Sequence, residues 1–188
     1  MSSDGRGRAL SEQELLDRID ELWPTISQAY RANACILITR TAIEVASYFG
    51  FRWHPLPVDL ALFNKPGWEA FKAELPMPQW APEAWSLGCV CKDELDPDGW
   101  SGHLLVEGDG WVADLDARQF NRPAKNIELT NWALDTAGQE PPWTLRQGDR
   151  TLWLRPRPEV TAYRRAKDWR SGYQALAAQL IRLIKETT

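Results

Sequence analysis

Cys35 is the residue whose type and position best suit covalent chemistry in this chain. It stands two residues after Asn33, which is a good N-cap residue for the helix predicted to follow. A thiol there faces free backbone N–H groups and the positive end of the helix dipole, and both favour the nucleophilic thiolate. The alternative interpretation is structural, because a free cysteine often serves as a small buried apolar residue.

His103 supplies a candidate base for that thiol. It lies in residues 102–106, a short apolar run typical of a strand, and residues 111–115 predict the partner strand. Gly108-Asp109-Gly110, between the two runs, predicts a hairpin. The sequence allows a two-residue turn at either the first two or the last two of these three residues.

The choice of turn decides which residue lies opposite His103, because directly opposed residues share a face of the sheet. A turn at the last two residues places Asp116 there, and a turn at the first two places Asp114 there. A three-residue loop would place Leu115 opposite instead, unless a bulge resets the register. Either aspartate would fix the tautomer of His103 and stabilise its imidazolium form. The local pattern therefore predicts a His–Asp pair and leaves the acid open.

The elements that must position these residues follow from hydrophobic periodicity. Ser11 to Glu14 match a capping box at the start of a first helix, which Pro24 should end or kink. A second helix is predicted over residues 33–49 and is closed by Gly50. It is apolar around much of its circumference, so we expect it to be central and buried.

The rest of the chain alternates between strand patterns and turns before a final helix. A short helix is predicted over residues 66–73 and a C-terminal helix over residues 159–185, with a break at Gly172. The predicted strands cover residues 52–63, 86–91, 101–107, 111–115, 127–132, 143–146 and 151–155. This order predicts an α+β fold with helices packed on one side of a meandering, mostly antiparallel sheet.

Composition bounds the class of protein. The chain has 188 residues, of which 44% are hydrophobic and 26% charged, and these values are ordinary for one soluble domain. We expect a flexible N-terminus over residues 1–10 and a single domain over residues 11–188. The apolar runs are too short for a membrane span, and the N-terminus lacks the apolar core of a signal peptide. Three cysteines predict no disulfide framework, so a reducing, cytoplasmic location is expected.

Several blocks of the sequence resemble a group of uncharacterised bacterial and phage proteins. The blocks are residues 33–40 (NACILITR), 49–50 (FG), 56–58 (LPV), 99–106 (GWSGHLLV) and 111–123 (WVADLDARQFNRP). The order Cys, His, Asp on helix, strand and strand resembles the transglutaminase-like branch of the papain-like cysteine enzymes. The resemblance covers about residues 31–62 and 99–123, well under half of the chain.

The resemblance implies a transglutaminase-like (papain-like) fold with a catalytic triad of Cys35, His103 and Asp114. In such enzymes the orienting Asp opens an Asp-x-Thr element, and here Asp116 stands in place of the Thr. The implied activity is acyl transfer or amide hydrolysis through a thioester on Cys35. The Gly-rich setting of many peptidase cysteines and the Trp that follows the papain cysteine are both missing from this sequence, which disfavours proteolysis.

The substrate would be a protein, a peptide or a small acyl or amide compound, and no cofactor is expected. Trp100, beside His103, is a candidate wall of the substrate pocket, together with Trp53 or Trp80. The backbone N–H of Cys35 is a candidate oxyanion donor. Further candidate donors are the side-chain amides of Gln28, Asn33 and Gln119.

A non-catalytic protein is the main alternative: a scaffold that keeps the fold and acts as a protein-interaction or nucleic-acid-binding module. Residues 155–170 are basic and carry Tyr163 and Trp169, a composition that can contact RNA. The net charge of −4 and the acidic residues between 89 and 116 oppose binding to a polyanion.

A zinc site at Cys89 and Cys91, completed by His54 or His103, is disfavoured by spacing. Structural zinc sites pair cysteines two to four residues apart, whereas Cys89 and Cys91 are separated by one residue. In a strand these two side chains share one face, so core packing explains them better. The sequence also lacks the glycine-rich loops that bind phosphate groups.

Overall fold

The structure is a computed structural model that describes residues 10–26, 34–96 and 99–187. The helices are α1 (Glu12–Ile26), α2 (Cys35–Tyr48), α3 (Lys65–Lys72), α4 (Lys167–Arg170) and α5 (Tyr173–Glu186). The strands are β1 (His54–Phe63), β2 (Ser86–Cys89), β3 (Leu95–Asp96), β4 (Gly99–Trp100), β5 (His103–Gly108), β6 (Trp111–Asp114), β7 (Trp132–Asp135), β8 (Trp143–Gln147) and β9 (Arg150–Pro156). Of the N-terminal segment predicted to be flexible, residues 1–9 lie outside the described residues, and Leu10 packs against the core.

The main sheet is antiparallel and runs in the order β7-β6-β5-β1-β9-β8, with β2 paired to β1 beyond the end of β5. Its two edges approach each other. Gln147 of β8 accepts the backbone N–H of Thr130, just before β7, at 3.2 Å and donates to the carbonyl of Thr130 at 3.0 Å. The sheet is therefore nearly closed into a barrel, and the predicted α+β class with a C-terminal helix is confirmed.

Helix α1 begins with the predicted capping box. The backbone N–H of Ser11 donates to Glu14 at 2.8 Å, and the backbone N–H of Glu14 donates to the Ser11 hydroxyl at 3.2 Å. The helix continues to Ile26, so the prediction that Pro24 could end it is wrong. Pro24 lies in the last turn, so only the end of the helix is affected by its missing N–H, and the hydroxyl of Thr25 donates to the carbonyl of Leu22 at 2.7 Å.

Helix α2 is central and buried, as its all-round apolar sequence predicts. It packs against α5 on one side and, on the other, against the face of the sheet that carries Val106, Ala113 and Leu115, while α1 packs against α5 in the same core. The helix begins at Cys35 with Ala34 as its N-cap, one residue later than predicted. Asn33, the expected cap, lies outside the described residues. Gly50 has φ +88° and closes the helix as expected.

The opposite, concave face of the sheet forms a second core. It is filled by side chains from β1, β5, β6, β8, β9 and the segment before β7: Leu56, Val58, Leu60, Leu62, Leu105, Val112, Ala117, Phe120, Ile127, Leu129, Trp143, Leu152 and Leu154. Each face of the sheet is therefore packed: one against the helices, and the other against side chains of the second core. The first residue of β5 and the last residue of β6 are therefore held rigidly.

Two sequence predictions for the second half of the chain have different outcomes. The strand predicted over residues 127–132 is wrong, because β7 begins only at Trp132. Ile127 instead forms an isolated bridge with Arg122 and is buried in the second core, so its apolar character reflects packing and not a strand. The predicted break at Gly172 is confirmed, since this glycine has φ +91° and α5 begins directly after it.

None of the helices among the described residues is long and apolar enough to cross a membrane.

Candidate functional site

His103 and Asp114 form a fully buried pair at one end of the sheet. His103 is the first residue of β5 and Asp114 the last residue of β6. The Nε2 atom of His103 lies 2.8 Å from Oδ2 of Asp114, and neither side chain is exposed. The second oxygen of Asp114 accepts the backbone N–H of Asp116 at 2.9 Å. The carboxylate thus holds a proton on Nε2 and leaves Nδ1 of His103 for chemistry.

The hairpin between β5 and β6 uses the turn that was expected to place Asp116, and not Asp114, beside His103. Gly108 pairs with Trp111 and Val106 with Ala113, so Asp109 and Gly110 form the turn. This register sets Asp116 formally opposite His103, and the prediction that the opposite residue would be the partner is wrong.

The partner is Asp114, which lies on the same face of the sheet and diagonally across from His103. Diagonal neighbours are within reach of a side chain as long as histidine. Strand β6 ends at Asp114, and the chain then enters a turn of 3₁₀ helix at Ala117–Phe120. Asp116 therefore leaves the ladder before it can face the imidazole.

Cys35 contacts the His103–Asp114 pair through His103. It is the first residue of α2, and its side chain lies within hydrogen-bond reach of His103. Around the thiol pack Ile36, Leu104 and Tyr163. Helix α2 is tied to β5 because the hydroxyl of Thr39 donates to the carbonyl of Leu104 at 3.4 Å. The structure therefore brings Cys35, His103 and Asp114 together.

The electrostatic setting favours a charged imidazole. Burial alone would lower the pKa of His103, but the carboxylate of Asp114 and the contact with Cys35 outweigh it. The net result is a pKa of His103 well above its usual value. A proton that leaves the Cys35 thiol therefore has a base beside it that holds the proton firmly.

Gln119 closes the site around the imidazole. It lies in the turn after β6, and its Nε2 atom is 2.7 Å from Nδ1 of His103. In the neutral imidazole, whose Nε2–H donates to Asp114, the Gln119 amide donates to Nδ1; in the imidazolium both ring nitrogens carry protons and this donation is lost. The ring of Phe120 packs edge-on against the imidazole at 5.1 Å between centroids. Both ring nitrogens are therefore engaged, and the ring orientation is fixed.

A cleft of about 250 Å³ reaches the sulfur. The residues that line it are Cys35, Ile36, Cys89, Trp100, Ser101, Gly102, Gln119 and Phe120. Cys35 is only 5% exposed, yet the cleft opens on it, so a small substrate group can approach. Of the predicted substrate-binding residues, Trp100 and Gln119 line this cleft, and Asn33 lies outside the described residues, as does Gln28.

The tryptophans divide between the cleft and the cores. Trp100 is held in the cleft wall by its indole N–H, which donates to the carbonyl of Lys92 at 2.8 Å. The alternative wall residues, Trp53 and Trp80, lie elsewhere. Trp53 packs edge-on against Trp111 in the helical core, and Trp80 packs 6.3 Å from Phe63.

The remaining cysteines differ from Cys35 in their surroundings. Cys91 is buried, and its thiol donates to the carbonyl of Val58 at 3.0 Å. Burial raises the pKa of Cys91 to about 12 and also raises the pKa of Cys89. Among the residues that the structure describes, no three His, Cys, Asp or Glu side chains lie close enough to hold a metal ion.

Two features near Cys35 were not found by sequence reasoning. Cys89 lines the cleft because β2 and β5 pair with the same edge of β1, and no local signal in the sequence shows that arrangement. Asp116 was considered only as a partner for His103, whereas its carboxyl group accepts the backbone N–H of Ala34 at the start of α2. Burial and the charge of Asp114 raise the pKa of Asp116 to about 7, although His103 opposes this shift.

The basic stretch near the C-terminus is partly used inside the fold. Asp59 of β1 is a nearly fully buried carboxylate, and its Oδ2 atom accepts hydrogen bonds from Nε of Arg155 and Nη1 of Arg157, each at 3.0 Å. Asp59 also accepts the backbone N–H of Cys91 at 2.7 Å. These ion pairs therefore stabilise the join between β1 and β9.

Comparison of the chain with known protein families, with curated proteins and with solved structures finds no match. The functional interpretation therefore depends on the geometry around Cys35 and His103.

Proposed function

We propose that the protein is a cysteine-dependent acyl transferase or amide hydrolase, with Cys35 as nucleophile, His103 as base and acid, and Asp114 as the group that orients His103. One observation carries the proposal. His103 is bonded to Asp114 at 2.8 Å and is within hydrogen-bond reach of Cys35, at the point where a cleft opens on the thiol. A nucleophile beside a base that a third group orients is the arrangement on which covalent catalysis depends.

The chemistry follows from these contacts. His103 takes the proton of the Cys35 thiol at Nδ1, and the thiolate attacks the carbonyl carbon of the substrate. The tetrahedral intermediate collapses as His103 returns the proton to the leaving amine, and a thioester on Cys35 remains. Water or a second amine then gives its proton to His103 and attacks the thioester, which releases the acyl group and restores the thiol. Asp114 stabilises the imidazolium in both halves.

Two donors are available for the oxyanion. The backbone N–H of Cys35 lies in the first turn of α2, where N–H groups have no partner within the helix. The Gln119 amide lines the same cleft and contacts Nδ1 of His103. Substrate must displace this amide before His103 can serve Cys35, and the displaced N–H is then available to the carbonyl oxygen.

The architecture supports a transglutaminase-like, papain-like fold for this domain. A helix that begins at the cysteine packs on a nearly closed antiparallel sheet, and the histidine and aspartate lie on neighbouring strands of that sheet. The substrate class we propose is a protein, a peptide or a small acyl or amide compound. A reducing compartment such as the cytoplasm would keep the three thiols free, as they are here.

Acylation by an activated ester tests the proposal. Treatment with p-nitrophenyl acetate should release p-nitrophenolate in a burst and leave one acetyl group, which peptide mass analysis should place on Cys35. The Cys35→Ala variant should lose the burst, whereas Cys89→Ala, altered in the same cleft, should keep it. Added primary amines will show whether an amine or water accepts the acyl group. A burst that persists in Cys35→Ala would overturn the proposal.

The alternative, a catalytically inactive scaffold, is favoured by one observation. The Gln119 amide holds Nδ1 of His103, the nitrogen through which the base would serve Cys35. A protein that uses the site only for packing would keep that contact permanently. The acylation experiment separates the two functions, because a permanently capped His103 would leave Cys35 no more reactive towards the ester than the other cysteines.

A further inference from the structure

Five residues around the cleft form a closed circuit of contacts. The side chain of Cys35 contacts His103, and Nε2 of His103 lies 2.8 Å from Asp114. The other oxygen of Asp114 accepts the backbone N–H of Asp116 at 2.9 Å. The carboxyl group of Asp116 accepts the backbone N–H of Ala34, which is bonded through its peptide group to Cys35. Asp116 is thus the link that closes the circuit between strand β6 and helix α2.

The surroundings of Asp116 make burial of an ionised carboxylate costly in free energy. Its Oδ2 atom is sealed from solvent and has no hydrogen-bond partner among the described residues. Such a buried oxygen loses its hydration without compensation. The ionisable groups that act on it are Asp114 on β6 and His103 on β5, while Arg118, two residues further on, lies 4.0 Å from Asp20 of α1. A proton on Oδ2 removes the repulsion from Asp114 and lowers the cost of burial, because a neutral carboxyl group loses less hydration than a carboxylate.

We propose that Asp116 is a positioning residue for Cys35: its carboxyl group holds the first turn of α2 against the end of β6, so that the thiol keeps its contact with His103. The proposal rests on the proposed function only in taking Cys35 as the reactive thiol. Ala34 has no side chain able to cap α2, and no side-chain cap is present at this helix start. The link from Asp116 therefore binds the N–H of the N-cap residue, the donor that the N3 side chain of a capping box would otherwise bind.

Substitution of Asp116 by Asn or by Ala separates a positioning role from an effect of its negative charge on Cys35. Asp116→Asn keeps an oxygen for the Ala34 N–H and places an N–H₂ group where Oδ2 lies, much as a protonated carboxyl group would. Asp116→Ala removes the link as well as the charge. If Asp116 acted on Cys35 only through its negative charge, both variants would make the thiolate easier to form and would behave alike. If it positions Cys35, the two variants differ.

The experiment measures the rate of iodoacetamide alkylation of Cys35 against pH, with peptide mass analysis to separate the three cysteines. Relative to the natural chain, Asp116→Asn should shift the half-maximal rate to the same or a lower pH. Asp116→Ala should shift it to a higher pH, because the thiol loses its contact with His103. Asp109→Asn, in the hairpin turn, is the matched control and should leave the profile unchanged.

Equal shifts in Asp116→Asn and Asp116→Ala, or no shift in either, would overturn the inference. If Asp116→Ala does not fold, as judged by circular dichroism, Asp116→Ser takes its place, since its shorter side chain does not span the distance to Ala34. Failure of the proposed function has a different signature, because Cys35 of the natural chain would then react no faster than Cys89. The two failures are therefore distinguishable in one data set.

Discussion

The imidazole of His103 and the carboxylate of Asp114 are joined at 2.8 Å with no exposed surface on either side chain. Burying two such groups costs several kcal/mol of hydration for each charge, and their attraction seldom returns more than that in stability. A pair of this kind is therefore poorly explained by stability alone. Its position within reach of Cys35, on which a cleft opens, fits the proposed role of the pair in orienting a base.

Cys35 should be the most reactive cysteine in the folded protein. Burial raises the pKa of Cys91 to about 12 and also raises that of Cys89, so both are thiols near neutral pH. Iodoacetamide at pH 7 should label Cys35 at least about tenfold faster than either, as followed by peptide mass analysis. In urea all three should react at similar rates. Labelling of Cys89 as fast as Cys35 in the folded state would contradict a catalytic thiolate.

Asp114→Asn should abolish most activity and leave the fold intact. The amide N–H₂ can no longer accept the Nε2 proton of His103, so the imidazole adopts the wrong tautomer for a base at Nδ1. We expect the acylation rate of Cys35 by p-nitrophenyl acetate to fall by about 10³–10⁴-fold. The matched variant is Asp116→Asn, which should change this rate by less than about tenfold. The opposite ranking of the two variants would show that Asp116 orients the base.

Gln119→Leu should separate acylation from alkylation. Attack on an ester creates an oxyanion that the Gln119 amide can stabilise, whereas alkylation by iodoacetamide creates none. Acylation of Cys35 should therefore fall by about 10²-fold, the usual cost of a lost oxyanion donor. Alkylation should be unchanged or faster, because Nδ1 of His103 is freed. Equal losses in both reactions would assign Gln119 a structural role.

Asp116 should make the protein less stable as the pH rises from about 4 to about 7. Its pKa is raised from 3.8 to about 7, first by burial and then by Asp114, so the folded state binds the proton more tightly than the unfolded state. Across this interval the unfolded state is ionised and the folded state is not, which lowers the free energy of unfolding by about 1.4 kcal/mol for each pH unit. The contribution is fully present below pH 3.8 and fully lost above about pH 7.

Thermal unfolding of Asp116→Asn against the natural chain measures this effect. The difference in Tm should grow in favour of the variant as the pH rises from 4 to 7 and stay constant above that. A Tm difference independent of pH would show that Asp116 ionises normally in the folded protein.

Local patterns predicted most elements of the fold. The capping box of α1, the apolar circumference of α2 and the glycines at positions 50 and 172 each mark a feature that the structure contains. These signals work because they depend on residues within one or two turns of each other. The strand expected over residues 127–132 failed because burial of Ile127 and Leu129 in the concave core imitates a strand pattern.

The site was only partly predictable. The types and spacing of Cys35 and His103 marked them as candidates, and hairpin geometry limited the acid to two residues. The choice of Asp114 depends on where β6 ends, which is set by the chain leaving the ladder towards the start of α2. The contact of Gln119 with His103 depends on the same departure. Neither is visible in local sequence, because both depend on how a distant helix packs against the sheet.

The most direct test of the triad is a double-mutant cycle on the acylation rate of Cys35. The variants are His103→Gln, which keeps a polar group against Asp114, then Asp114→Asn, and the two combined. Residues that act as one unit do not lose activity independently. The double variant should therefore acylate at the rate of His103→Gln alone, within about threefold, while circular dichroism shows all three variants folded. Losses that multiply in the double variant, or single variants that acylate as fast as the natural chain, would contradict a catalytic unit of Cys35, His103 and Asp114.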